Sequence, residues 1–207
     1  MKIELTLIPV TPFTLTPSDI CSLFKKGENN INMPFYVSSI KGMLRAASIF
    51  GFRSRFGDGY SCEDTFNKTC PELTEKERNV LKTFPCPICK TYGMLGLKGC
   101  SLFITNLNEV VEGKELINYR FLFRGPYYIS VSQKPLDIVI ICDDKFKCSP
   151  LVILLGLHYI DKGIIRLGKF KSRGFGIFKV KMKNGELQKL LNNIDILENE
   201  LKKCLGV

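Results

Sequence analysis

The chain has 207 residues, 45% of them hydrophobic and 11% aromatic, and a formal net charge of +10. That length and apolar content suit one sizeable domain with insertions, or two small ones, and exclude global disorder. No apolar run is long enough to cross a bilayer, and the opening Met1-Lys2-Ile3-Glu4-Leu5 reads as a strand, not a signal peptide, so a cytoplasmic protein with no membrane partner is expected.

The positive charge is concentrated. Asn29–Gly57 carries Lys41, Arg45, Arg53 and Arg55 with no acid, and Lys162–Gly185 carries eight Lys/Arg residues with no acid. Together these exceed the net charge of the whole chain. Basic segments of this kind point to a polyanionic partner, nucleic acid before others, although a solvated basic face has the same composition.

In chain order, Ile3, Leu5 and Leu7 alternate with polar neighbours and predict a half-buried strand running to about Val10. Pro12 and Pro17 then interrupt regular structure. Thr14–Met33 reads as a long loop with at most one helical turn after Ser18-Asp19. Ser38 or Ser39 is placed to cap a helix with Ile40, Met43, Leu44 and Ala47 on its apolar face and Lys41 and Arg45, four apart, on its polar face. An irregular insertion spans 57–93, with a short helix near Thr74–Lys82 behind a Thr74-x-x-Glu77 capping box. Strands are predicted at Cys100–Thr105, Tyr119–Phe123, Tyr127–Val131 and Leu136–Cys142, then a largely buried helix from Ser149-Pro150. Ile164–Leu167 and Phe175–Met182 read as strands, and Glu186–Leu205 as one amphipathic helix. Strand, helix, strands, helix, strand fits an α+β, ferredoxin-like core (that of RNA-recognition motifs) carrying a cysteine-rich insertion, all within a single domain, 1–207.

Between the last two predicted strands lies Gly168-Lys169-Phe170-Lys171-Ser172-Arg173-Gly174-Phe175-Gly176. Glycines here permit positive φ and close backbone approach, and the interleaved cations suit phosphate oxygens. A charged hairpin turn is the plain alternative.

Nine cysteines in a cytosolic chain argue against a disulfide framework. Cys21, Cys142, Cys148 and Cys204 read as small apolar residues. Cys86-Pro87-Ile88-Cys89 has knuckle spacing, and Cys62 and Cys70 stand upstream to complete a closed four-thiolate site, with Cys100 as a substitute ligand. Such a site suits structural zinc and would explain how an insertion without its own core stays folded. A redox pair is the other reading of Cys-x-x-Cys, but such a pair usually opens a helix in a thioredoxin-like unit, and Cys86 sits between two prolines. His158, the only histidine, falls on the apolar helix and reads as a core residue.

Three stretches carry a family resemblance. Pro34-Phe35-Tyr36-Val37-Ser38-Ser39-Ile40-Lys41-Gly42-Met43-Leu44-Arg45 resembles the signature P-x-I-P-G-S-S-L-K-G-x-L-R. Cys86-Pro87-Ile88-Cys89-Lys90-Thr91-Tyr92-Gly93 resembles a C-P-x-C-x-L-F-G segment, and Gly168–Gly176 is similar to a C-terminal glycine-rich loop. These belong to the RAMP superfamily of CRISPR proteins, and the look-alikes are backbone subunits of type III effector complexes. Val37 stands where the signature has glycine, and Tyr92 where it has phenylalanine.

The resemblance implies a subunit that grips CRISPR RNA along its backbone in a helical filament with other effector subunits, while target RNA pairs with the guide. It implies RNA contacts from Ser39, Lys41 and Arg45, with Arg53 and Arg55 on the same helix, and from Lys169, Lys171, Arg173, Gly174 and Phe175. Some of these subunits cleave target RNA through an aspartate in the loop before the signature helix. Asp19 is the aspartate of that loop here, where it would work with a divalent metal, and it serves equally as a helix cap. A CRISPR repeat-processing endoribonuclease is a further alternative from the same superfamily. Such enzymes often use histidine, which the core placing of His158 disfavours.

Overall fold

In the computed structural model the described residues are 1–14, 37–112, 114–121, 124–143, 145–168 and 174–207. A four-stranded antiparallel sheet is built from β1 (Lys2–Pro9), β2 (Ser101–Ile104), β5 (Leu136–Ile141) and β6 (Phe178–Met182), in the order β2-β5-β1-β6. This α+β arrangement is the ferredoxin-like core.

Period-two alternation fixes the register. Ile3, Leu5 and Leu7 of β1, Leu136, Ile138 and Ile140 of β5, and Phe178, Val180 and Met182 of β6 all turn to one buried face. β6 is an edge strand, and side chains satisfy part of its outer rim: Val180 N–H donates to the Asp161 carboxylate and Met182 N–H to the Gln188 side chain.

Helices α1 (Val37–Phe56) and α6 (Ser149–Asp161) cover that face. α6 is the centre of the fold. Every residue from Ser149 to Ile160 except Leu151 is buried, as its all-round apolar sequence requires. Ser48 of α1 is wholly buried and donates to the Val152 carbonyl at 2.9 Å, with the Tyr92 hydroxyl 2.8 Å away. His158 places Nδ1 2.8 Å from the Leu191 carbonyl, as a core residue does.

The insertion after α1 holds three short helices, α2 (Cys62–Phe66), α3 (Glu75–Val80) and α4 (Pro87–Tyr92), with a 3-10 turn at Cys70–Glu72. The Thr74/Glu77 capping box forms as its sequence predicts. Helix α5 (Leu107–Glu112) precedes a separate two-stranded hairpin, β3 (Lys114–Phe121) and β4 (Arg124–Ser132), and helices α7 (Gly185–Asn192) and α8 (Ile194–Leu205) close the chain.

Four expectations are corrected. The described part of α1 is helical from Val37 on, so Ser38 and Ser39 lie within the helix and do not cap it. Ile164–Leu167 is not a strand: the Ile164 and Ile165 N–H groups donate to the Tyr159 carbonyl, wrapping this segment around the end of α6. The C-terminal helix is two helices, because the Asn193 side chain accepts the Ile196 N–H and starts a new one. Cys148 and Cys204 are not independent apolar residues but a disulfide joining the start of α6 to the end of α8.

Candidate metal centre and nucleic-acid interface

Cys62 opens α2, Cys70 opens the 3-10 turn, and Cys86 and Cys89 cap and enter α4. Three separate helix starts thus converge. The four Sγ atoms lie within 4.8 Å of one another and every one of these residues is fully buried. Sγ of Cys62 is 3.5 Å from those of both Cys86 and Cys89. A zinc ion with Zn–S bonds of about 2.3 Å requires sulfurs about 3.8 Å apart at tetrahedral corners, so the set fits the group. Cys100, the substitute ligand, is not among the four.

The surroundings favour thiolates. Cys86 N–H donates to the Cys70 sulfur, Cys89 N–H to that of Cys86, and an Arg45 guanidinium N–H to that of Cys89 at 3.5 Å. Hydrogen bonds from the Cys62 and Cys86 thiols pull Cys89 down to about 2, while the same bonds push Cys62 up. Four buried sulfurs this close together are a donor set that suits a soft cation.

Arg45 is the link between this cluster and α1. Its Nε donates to Glu63 Oε1 at 2.6 Å and its Nη1 to the Gly93 carbonyl at 3.0 Å. Burial is the largest single influence and opposes its charge, but the hydrogen bonds and charge attraction of Glu63 and Cys89 together outweigh it and favour the charged guanidinium. The segment is acid-free in sequence, but acids from outside it pair with its arginines. Arg53 faces Asp64 at 3.4 Å, and Arg55 donates to Glu198 at 2.6 Å and also to Asp195. Lys41 alone of the four has no carboxylate partner among the described residues. It stands half-buried in the first turns of α1, beside half-buried Ser39.

The glycine-rich turn is anchored by backbone contacts. Gly176 N–H donates to the Pro12 carbonyl and Leu167 N–H to the Gly176 carbonyl, each at 2.9 Å. Gly168 and Gly176 have φ of +81° and +74°, and a Cβ on either would stand 1.9 Å from the Thr14 carbonyl oxygen or 1.8 Å from that of Leu167. The close approach read from the sequence is present. Gly174 and Phe175 are half-buried, while Lys169, Lys171, Arg173 and Asp19 lie outside the described residues.

Sequence reasoning missed Glu63, Asp64, Asp195 and Glu198 as partners of the α1 arginines. Only the spans of 11 residues from Arg53 to Asp64 and of 18 from Arg45 to Glu63 are short enough to have hinted at a contact.

No family model matches the chain, and no curated protein matches it. Among solved structures, a chain of a "Type IV-B CRISPR Complex" shares its fold, with a TM-score of 0.56, 12% identity, and coverage of 89% of this chain and 91% of that one.

Proposed function

We propose that this chain is a subunit of a CRISPR effector complex that holds guide RNA by its sugar–phosphate backbone and carries one structural zinc. The observation that carries the reading is Lys41. Among the described residues it has no carboxylate partner, and it lies in α1 inside the stretch resembling the RAMP signature, on a fold shared along nearly its whole length with a chain of a CRISPR complex. The motifs favour a type III-like backbone subunit working in the cytoplasm among further effector subunits. The turn cations Lys169, Lys171 and Arg173, with Ser39, Gly174 and Phe175, complete the proposed RNA contacts. Target RNA would then be read by base pairing.

In this reading the residues divide their work. Lys41 and the turn cations neutralise phosphates without reading bases. Arg45, fixed on Glu63 and Cys89, joins the metal-stabilised insertion to the RNA-facing helix. Zinc would supply a closed charge centre that holds three short helices together.

The test is binding of single-stranded guide RNA across a salt series. Lys41→Ala is expected to weaken binding and to reduce the salt slope by about 0.7, the share of one phosphate contact. The triple Lys169→Ala/Lys171→Ala/Arg173→Ala variant reduces it further. Arg45→Met is expected to lower zinc content before it lowers affinity. Affinities equal to wild type at moderate salt for both lysine-deleted proteins would end the proposal.

A further inference from the structure

A second pair of cysteines meets outside the four-sulfur cluster. β2 and β5 set Ser101 opposite Ile141, so one step further along the same register Cys100 faces Cys142. The Cys142 N–H donates to the Met1 carbonyl at 2.9 Å, and its carbonyl accepts from the Met1 amino group at 3.1 Å. Cys142 therefore spends both backbone groups on the β1 side. The Cys100 N–H turns away as well, to the Thr91 carbonyl at 2.8 Å. Two opposed residues whose backbones point apart are a non-hydrogen-bonded antiparallel pair, with Cα atoms about 4.5 Å apart and side chains on one face. That spacing lies inside the range of about 4.4–6.8 Å that a disulfide spans.

Both cysteines are free and buried. The two are not equivalent. The Cys142 thiol, then the Ser149 hydroxyl and the Lys41 charge, favour a thiolate at Cys100 against the effect of burial, and the same contact pushes Cys142 up. A cavity of about 200 Å³ reaches Cys100 and is walled in part by Lys90, Lys98, Lys145, Phe146 and Ser149. At about 30 Å³ for one water, it has room for a small oxidant. Among the described cysteines, the other six lie in the closed metal set or in the Cys148–Cys204 disulfide.

We infer that Cys100 and Cys142 form a two-electron redox couple, with Cys100 the member attacked and a hydroperoxide, entering through the lysine-walled cavity, as oxidant. The Cys100 thiolate attacks one peroxide oxygen, the O–O bond breaks, and hydroxide leaves. This gives sulfenic acid at Cys100, with sulfur oxidised and peroxide reduced by two electrons. The Cys142 sulfur then displaces that hydroxyl, an S–S bond forms, and its proton leaves with the hydroxyl as water. An external thiol reverses the state by thiol–disulfide exchange.

The experiment uses the zinc-loaded full chain. After treatment with about one equivalent of hydrogen peroxide, free thiols are alkylated and the digest is read by mass spectrometry without reduction, with zinc release followed in parallel. The expected product is a Cys100–Cys142 linked peptide, removed by a phosphine reductant and formed without zinc release. In Cys142→Ser, dimedone should label Cys100; in Cys100→Ser it should leave Cys142 unlabelled. In unmodified protein, iodoacetamide should reach Cys100 about tenfold faster than Cys142, as the thiolate is the nucleophile. Zinc loss with Cys100 and Cys142 still reduced, the reverse order of alkylation, or no dimedone adduct in folded Cys142→Ser would each overturn the proposal.

Discussion

The glycine-rich turn makes a quantitative claim. Its base is held where the Gly176 backbone meets Leu167 on one side and Pro12 on the other, through two 2.9 Å hydrogen bonds. Gly176→Ala introduces two costs. A side chain at φ +74° pays the left-handed penalty of about 1–2 kcal/mol. Its Cβ would also stand 1.8 Å from the Leu167 carbonyl oxygen, a backbone atom that cannot rotate away. Relief requires the two segments to separate and gives up at least one hydrogen bond, about 1 kcal/mol net each. The total is about 3 kcal/mol. Gly174 supplies the internal control, because its φ of +90° carries the same conformational penalty while nothing among the described residues lies within 4 Å of its Cβ position. For a chain of this size each kcal/mol moves the melting temperature by about 2–4 °C. Thermal and urea unfolding should therefore show Gly176→Ala lowered by about 9 °C and Gly174→Ala by about half as much. Equal destabilisation of the two variants would refute the close-approach argument and return the stretch to an ordinary hairpin turn.

Two further outcomes follow from other parts of the structure. Cys70→Ser removes one of four converging sulfurs and should take the purified protein from about one zinc per chain to well below it, with lower thermal stability; unchanged metal content by elemental analysis would exclude Cys70 as a ligand. Glu77 accepts from the Lys68 ammonium and from the Thr74 hydroxyl and N–H, which hold its carboxyl at about 2 against an ordinary 4.5. A carboxylate lowered in the folded state stabilises above its unfolded value and loses that contribution as pH falls through the folded one. The melting-temperature gap between wild type and Glu77→Gln should accordingly be present at neutral pH and close between pH 4.5 and about 2; a gap independent of pH would contradict the assignment.

The sheet was legible because alternation is a local signal. Ile3, Leu5 and Leu7 declare their buried face without reference to any partner, and β5 and β6 do the same. The four-cysteine cluster was legible because metal-ligand spacing is also local at Cys86 and Cys89, and the remaining ligands lay in the same irregular stretch. Periodicity failed where continuity of an apolar face concealed a break. Leu187 and Leu191 of α7 and Leu197 and Leu201 of α8 are all buried, so the pattern runs through Asn193 although the helix does not. The apolar residues Ile164–Leu167 read as a strand because β-branched runs do, but the Tyr159 carbonyl captured their N–H groups before any strand could. The Cys148–Cys204 bridge, across 56 residues, has no local signature at all.

Charge was the least legible quantity, for a related reason. Counting acids along a segment measures neutralisation only by neighbours in sequence, whereas α1 receives its counterions from two other elements. Glu63 and Asp64 arrive from α2, and Asp195 and Glu198 from α8. Three of the four cations in the segment therefore serve the fold. Arg45 couples the insertion to α1, and Arg55 fastens the C-terminal helix to it. A desolvated guanidinium with three hydrogen-bond partners is poorly placed to exchange its carboxylate for a phosphate, since leaving Glu63 half-buried and unpaired would oppose the exchange. Lys41 has no such competing partner among the described residues. The same signature stretch thus divides within two turns of helix into a residue that holds the protein together and a residue left available to an anion. An ammonium on a flexible stem suits the second task, and a planar fork of donors suits the first.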